Sequence, residues 1–222
     1  MDRKKQKGPA RTVLTPSVFH YLTVGLLILL ISTSLSVPAF GGQFDDAIAA
    51  YERGDYATAF RLMKPLGEKG DAKAQHNLGV MYDYGRGVPQ DYNKALKWYR
   101  MAAEKGIPEA QHNLGLMYFN GQAVPQNYAE AAKWYRRAAE QGMPDSQVNL
   151  GIMYYHGQGV LQDYVLAHMW LNLAASQYPA SVRENLNDVV HYRDIVKSLM
   201  TPVQIAEAQR LAREWKPKKE GR

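Results

Sequence analysis

The chain contains no cysteine. That excludes a disulfide framework, a thiolate metal or iron–sulfur centre, a cysteine nucleophile and a lipid-modified cysteine behind an export signal. Long apolar runs are scarce as well. Mean hydropathy is −0.42, and the strongly apolar stretch at residues 21–31 is shorter than the roughly 20 residues a spanning helix needs. A polytopic membrane protein is excluded. Catalytic signatures are also missing: there is no Gly-x-Ser-x-Gly elbow, Ser-x-x-Lys, His-Glu-x-x-His or Gly-x-x-x-x-Gly-Lys. The sequence therefore reads as a non-enzyme with no cofactor and no metal. With 46% hydrophobic and 22% charged residues, it has the composition of a folded body rather than a disordered tail.

The charge present is unevenly placed. Net charge is +6 over 222 residues, which taken whole suggests a polyanion partner. Residues 1–39 hold Arg3, Lys4, Lys5, Lys7 and Arg11 against Asp2, so +4 lies there. A further +3 lies after Trp215, from Lys216, Lys218, Lys219 and Arg222 against Glu220. Residues 40–215 then sum to −1, and the electrostatic case for nucleic acid disappears. The basic end, residues 216–222, reads as a solvated tail. The first 39 residues have a positive start, an apolar centre and small residues at Val37 and Ala39, the order of a secretory signal peptide cut after Ala39. The expected location is the periplasm or the exterior. An uncleaved inner-membrane anchor over residues 18–37 is the alternative.

Internal repetition sets the fold expectation. Residues 71–106 laid over 107–142 without gaps agree at 22 of 36 positions, and the frame continues through 143–178. Leu78, Leu114 and Leu150 recur, as do Gly79, Gly115 and Gly151, and Trp98, Trp134 and Trp170. Each unit reads as two helices. Ala74, Leu78, Met81 and Tyr82 form an apolar stripe of helical period, with Gly85 at the left-handed stop. Asp91, Asn127 and Asp163 are placed to cap the second helix, and Asn127 with Glu130 has capping-box spacing. Gly79 and its equivalents fall mid-helix, at a cost of about 1 kcal/mol against alanine, so helix backbones are expected to approach closely there.

Written from Ala74 to Gly106, the pattern Ala-x-x-x-Leu-Gly-x-x-Tyr-x-x-Gly-x-Gly-Val-x-x-Asp-Tyr-x-x-Ala-x-x-Trp-Tyr-x-x-Ala-Ala-x-x-Gly resembles the Sel-one-like repeat, a relative of the tetratricopeptide repeat. The resemblance implies an all-α helical-repeat solenoid. Its departures fall at Ala123, Ser146, Leu171 and Tyr178, and the later ones suggest that the array is ending. The units expected are a degenerate N-terminal repeat at 40–70, in whose second helix Pro65 is expected to kink or stop the chain, repeats at 71–106, 107–142 and 143–178, and capping helices at 179–215.

The resemblance also says where a partner binds. If the first helix of each pair lines the concave side, the groove residues are Lys73, His76, Asn77, Val80, Asp83 and Tyr84 in one unit. Glu109, His112, Asn113, Leu116, Phe119 and Asn120 follow in the next, then Asp145, Val148, Asn149, Ile152, Tyr155 and His156. Asn77, Asn113 and Asn149 form an amide ladder that can hold an extended peptide backbone, or else bond neighbouring helices. His76 and His112 recur without a matching carboxylate and with Val148 in the third unit, which favours packing over metal binding. The expected function is a non-catalytic protein-interaction adaptor or regulator in the bacterial cell envelope, with a protein or peptide partner. The alternative is an envelope hydrolase or a peptidoglycan- or glycan-binding protein using Asp83, Glu109 and Asp145. Some cysteine-rich members of the resembled family are described as β-lactamases. This chain has neither their cysteines nor a serine-type signature, so that activity is not carried over.

Overall fold

The computed structural model describes residues 42–178 and 183–218, and every regular element among them is an α-helix. The expected export segment, residues 1–39, lies outside the described residues. A leading hairpin, α1 (Gly42–Glu52) and α2 (Tyr56–Glu68), is followed by three helix pairs. These are α3 (Ala72–Tyr84) with α4 (Tyr92–Glu104), α5 (Pro108–Asn120) with α6 (Tyr128–Glu140), and α7 (Pro144–His156) with α8 (Tyr164–Gln177). The described array closes with α9 (Arg183–Ser198) and α10 (Pro202–Glu214). Each helix packs on the next as far as α9, while α10 returns to pack on α8. This is the all-α repeat solenoid that the 36-residue period implies.

Backbone chemistry explains where the helices begin and end. The carboxylates of Asp91 and Asp163 and the amide oxygen of Asn127 accept from the backbone N–H of Lys94, Leu166 and Glu130 at 2.9–3.0 Å, each satisfying one orphan donor of a helix start. The capping box expected at Asn127 is only half made, because the Glu130 carboxylate turns to Lys133 at 3.4 Å. Thr201 and Gln204 do form a complete box at the start of α10. First helices stop at Gly85, Gly121 and Gly157, all left-handed with φ of 66–71°. Pro65 does not end α2, which runs on to Glu68. A proline lacks one N–H donor and crowds the turn before it, so the residues after Pro65 can still complete the helix.

The mid-helix glycines work differently from the expectation. A β-carbon at Gly79 would lie 2.4 Å from Cδ1 of Tyr99, and one at Gly115 would lie 2.7 Å from Cδ1 of Tyr135. The space is therefore taken by an aromatic ring from the second helix, not by another backbone. In the third pair Leu171 replaces the tyrosine, with its Cγ 2.9 Å from the same imagined atom on Gly151. Tyr99, Tyr135 and the leucines Leu78, Leu114 and Leu150 are fully buried, and burial of each such side chain contributes about 2 kcal/mol. The alanine pairs admit the following repeat: Ala102 and Ala103 cluster with Ala110, Leu114 and Trp134.

The ends are finished by tailored contacts. The Arg86 guanidinium lies 5.4, 5.6 and 5.1 Å from the rings of Tyr51, Tyr56 and Tyr84, tying the leading hairpin to the first repeat. At the other end α8 carries no Asp, Glu, Lys or Arg, consistent with α7, α9 and α10 all packing on it. The tail expected to be solvated is held at its start. Trp215 packs edge-on against Trp170 at 6.3 Å, the Lys218 N–H donates to the Glu140 carbonyl at 2.8 Å, and the Lys218 ammonium sits 3.1 Å from the Glu140 carboxylate.

The loop between first and second helices needs a second left-handed residue. Gly87 and Gly159 supply it at φ of 75° and 67°, but the middle repeat has Ala123 at φ 57°. An L-residue is strained there. Ala123→Gly is expected to raise stability by about 1 kcal/mol, read as a higher urea midpoint at unchanged slope.

Candidate functional site

Apart from consecutive helices and the α8–α10 contact, the closest helix approaches join α3 to α5 and α7 to α9. First helices therefore lie on the inner side of the array and second helices on the outer side. On the first helices, Lys73, Tyr84, Glu109, Asn120 and His156 are exposed. His76, Asn77, Val80, Asp83, Asn113, Leu116, Phe119, Asp145, Asn149, Ile152 and Tyr155 are half-buried. His112 and Val148, expected on the groove surface, are buried instead. His112 sits where the second and third repeats meet.

The joints between repeats are polar and specific. The Tyr99 hydroxyl donates to the Asp83 carboxylate at 3.1 Å, while the His76 ring lies 5.9 Å from the Tyr99 ring. Asn113 reaches back from the next repeat to within 3.3 Å of His76 Nε2. One joint further on, His112 lies 5.6 Å from the Tyr135 ring, and the Tyr135 hydroxyl is hydrogen-bonded to Asn149. His112 Nδ1 is 2.8 Å from Ser146 Oγ. Ser146, which stands where the repeat has its leading alanine, thus completes the joint for His112 with its hydroxyl. The Tyr178 hydroxyl bonds the Asp145 carboxylate in the same way. Although Ser146, His112 and Asp145 are near one another, Ser146 is 0% exposed. No substrate can reach that hydroxyl.

The asparagine ladder is occupied internally. Asn77 donates to the carbonyl of Lys73 at 2.9 Å, one turn back on its own helix. Asn113 and Asn149 bond the preceding repeat, as above. Each of the three amides therefore has a partner inside the array, Asn113 and Asn149 on the preceding repeat and Asn77 on its own helix.

A different amide series recurs at the same period and was not singled out from the sequence. Gln75, Gln111 and Gln147 are fully buried and donate to the carbonyls of Gly67, Ala103 and Ala139 at 2.9–3.2 Å. Gln141 and Gln177 then donate to the Gln111 and Gln147 oxygens, each at 2.8 Å. The first repeat has Lys105 at the matching position. Its ammonium bonds the Gly70 carbonyl, and the Gln75 amide oxygen is buried without a partner. Recurrence directly before the histidine position was the available signal.

Electrostatically, the inner face is dominated by desolvation. Burial lowers the His112 pKa to about 4 against the pull of the Asp145 carboxylate, and lowers that of His76 against Glu109. The Asp83 carboxyl is raised by desolvation, against the hydrogen bond from Tyr99. No three His, Asp or Glu side chains among the described residues come together as a metal site.

A row of stacked helix pairs defines the class: a helical-repeat interaction scaffold. The chain belongs to the Sel1 repeat family, whose repeat matches residues 72–107, 108–143 and 144–178. A Sel1 repeat protein from Oxalobacter formigenes is 40% identical with a TM-score of 0.51, over 57% of this chain and 95% of that one. A protective antigen present in uropathogenic Escherichia coli strains, displaying an SLR fold, is 35% identical with a TM-score of 0.68. That match covers 79% of this chain and 37% of the antigen. Among curated proteins, the DAP3-binding cell death enhancer 1 of Rattus norvegicus is 42% identical over 41 residues, 18% of this chain. The chain spans 8% of the length of that relative. Sel1 repeat proteins generally mediate protein–protein interaction and are typically non-catalytic scaffolds.

Two measurements test the joints. Lys105→Gln is expected to supply the missing donor to Gln75 and to raise stability by about 1 kcal/mol, seen in urea unfolding. The second concerns pH. His112 is near 4 in the fold against an ordinary 6.5, so folding excludes its proton and the stabilisation is fully present above pH 6.5. It is lost as pH falls toward 4, reaching about 2 kcal/mol by pH 5. His112→Gln cannot titrate. The fall in urea midpoint between pH 7 and pH 5 is expected to be smaller in that variant than in the parent chain.

Proposed function

We propose that this chain is a non-catalytic adaptor of the bacterial cell envelope, exported by its first 39 residues, which binds a segment of a partner protein along the first-helix face. The observation that carries the reading is the apolar surface left in register along the first helices. On the outer side α10 packs on α8, and Trp215 and Lys218 reach Trp170 and Glu140. On the inner side Val80, Leu116, Phe119, Ile152 and Tyr155 remain half-buried, apolar surface of the kind that partner segments cover. The asparagines each spend one bond inside the array, so we assign recognition chiefly to side-chain contacts.

The test is site-specific photo-crosslinking in cells, followed by separation of the envelope fraction. A photoreactive residue at Leu116 or Ile152 is expected to give one shared adduct in that fraction, and one at the outer positions Lys97 or Lys133 none. Adducts from the outer positions alone overturn the surface assignment, and adducts found only in the cytoplasm overturn the location.

A further inference from the structure

The charges of the repeats are segregated by helix. First helices α3, α5 and α7 carry Lys73 against Asp83, Glu109 and Asp145, whereas second helices α4, α6 and α8 carry six Lys or Arg against three Glu. Three outer-side acids have a cation beside them: Asp91 has Lys94 at 3.1 Å, Glu130 has Lys133 at 3.4 Å and Glu140 has Lys218 at 3.1 Å. Among the described residues, Asp83, Glu109 and Asp145 form no ion pair with Lys or Arg. Asp83 and Asp145 accept only neutral tyrosine hydroxyls, from Tyr99 and Tyr178. A half-buried carboxylate with no counter-ion has lost part of its hydration without recovering it as Coulomb attraction. An incoming cation restores that attraction where screening by water is weak. Apolar surface at Val80, Leu116 and Ile152 separates these acids along the face.

Building on the first-helix face as the binding surface, we infer that its occupant is an extended, lysine- or arginine-bearing segment of a partner protein. Its cations meet Asp83, Glu109 and Asp145, and its apolar side chains meet Val80, Leu116 and Ile152. Charge complementarity selects this class. An acidic segment would meet the same carboxylates as like charges, a penalty that excludes wrong partners.

The experiment uses the purified chain and two fluorescein-labelled peptides of alternating lysine, glycine and leucine, one with every lysine replaced by glutamate. Fluorescence anisotropy is expected to show the lysine peptide binding at least about tenfold more tightly than the glutamate peptide, with affinity falling as salt rises. The isosteric triple variant Asp83→Asn, Glu109→Gln, Asp145→Asn is expected to weaken the lysine peptide about tenfold or more. A Lys97→Gln, Lys133→Gln variant of the outer side is expected to leave it unchanged or slightly tighter. Glu109 is exposed, so Glu109→Lys provides a variant that folds even if the triple does not, and it must weaken the lysine peptide. Equal affinity for both peptides, no binding of the lysine peptide, or indifference to these inner-face changes overturns the inference. Leu116→Ala with Ile152→Ala separates the two readings. If both peptides bind equally and both weaken in that variant, the surface stands and its charge preference falls. If neither peptide responds to it, the surface assignment falls as well.

Discussion

The packing of a second-helix tyrosine onto a first-helix glycine is the contact on which the rest of the array depends. Gly79 and Gly115 leave room for one ring each, and Tyr99 and Tyr135 fill it with their hydroxyls at the inner side. Any side chain on the glycine would push the two helices of the pair apart. Because the ring is buried and its hydroxyl must find a partner, the inner face has to supply one: Asp83 in one repeat, Asn149 in the next. The histidine rings then lie beside the tyrosines and bond across to the following repeat. A demand made by core packing thus fixes which polar groups line the inner face.

A single helix pair cannot bury its apolar faces alone, so stability comes from stacking. The glutamine series shows how the stacking is registered. Each buried glutamine bonds a carbonyl near the end of the preceding second helix, and it cannot do so if the next pair slides or tilts. The third repeat keeps this bond and changes nearly everything around it. With no further repeat to receive a tyrosine hydroxyl, Leu171 replaces the ring. Val148 replaces the histidine, while Ser146 and Asp145 turn back to hold His112 and Tyr178. The uncharged α8 follows from the same circumstance, since it serves as both the last outer helix and the floor for α10.

The fold was legible because its contacts are local and periodic. A period of 36 with recurrent leucine, glycine and tryptophan specifies paired helices before any long-range contact is known. Helix boundaries were legible wherever one residue sets them, as at Gly85 or Asp91. What a glycine makes room for was not, because glycine marks the space without naming the atom that fills it. The same limit applies to Asn77, Asn113 and Asn149. Their spacing shows that they share a face, but only coordinates show that the partners are already inside the array. Ser146 departs from the leading alanine of the repeat, and Lys218 lies in the tail expected to be solvated. Each acts through one contact with a residue distant in the chain, His112 and Glu140, that no periodicity announces.

These internal commitments restrict how the inner face can recognise anything. A ladder of free amides would bind peptide backbone and so accept many sequences. With the amides engaged, the chemistry left is apolar surface at Val80, Leu116 and Ile152 and carboxylates without counter-ions. Both read side chains. On the reading proposed above, the order of cationic and apolar residues along an extended segment selects the partner. The property that looked like basic charge in the whole chain then has the opposite sign on the face where a partner would bind.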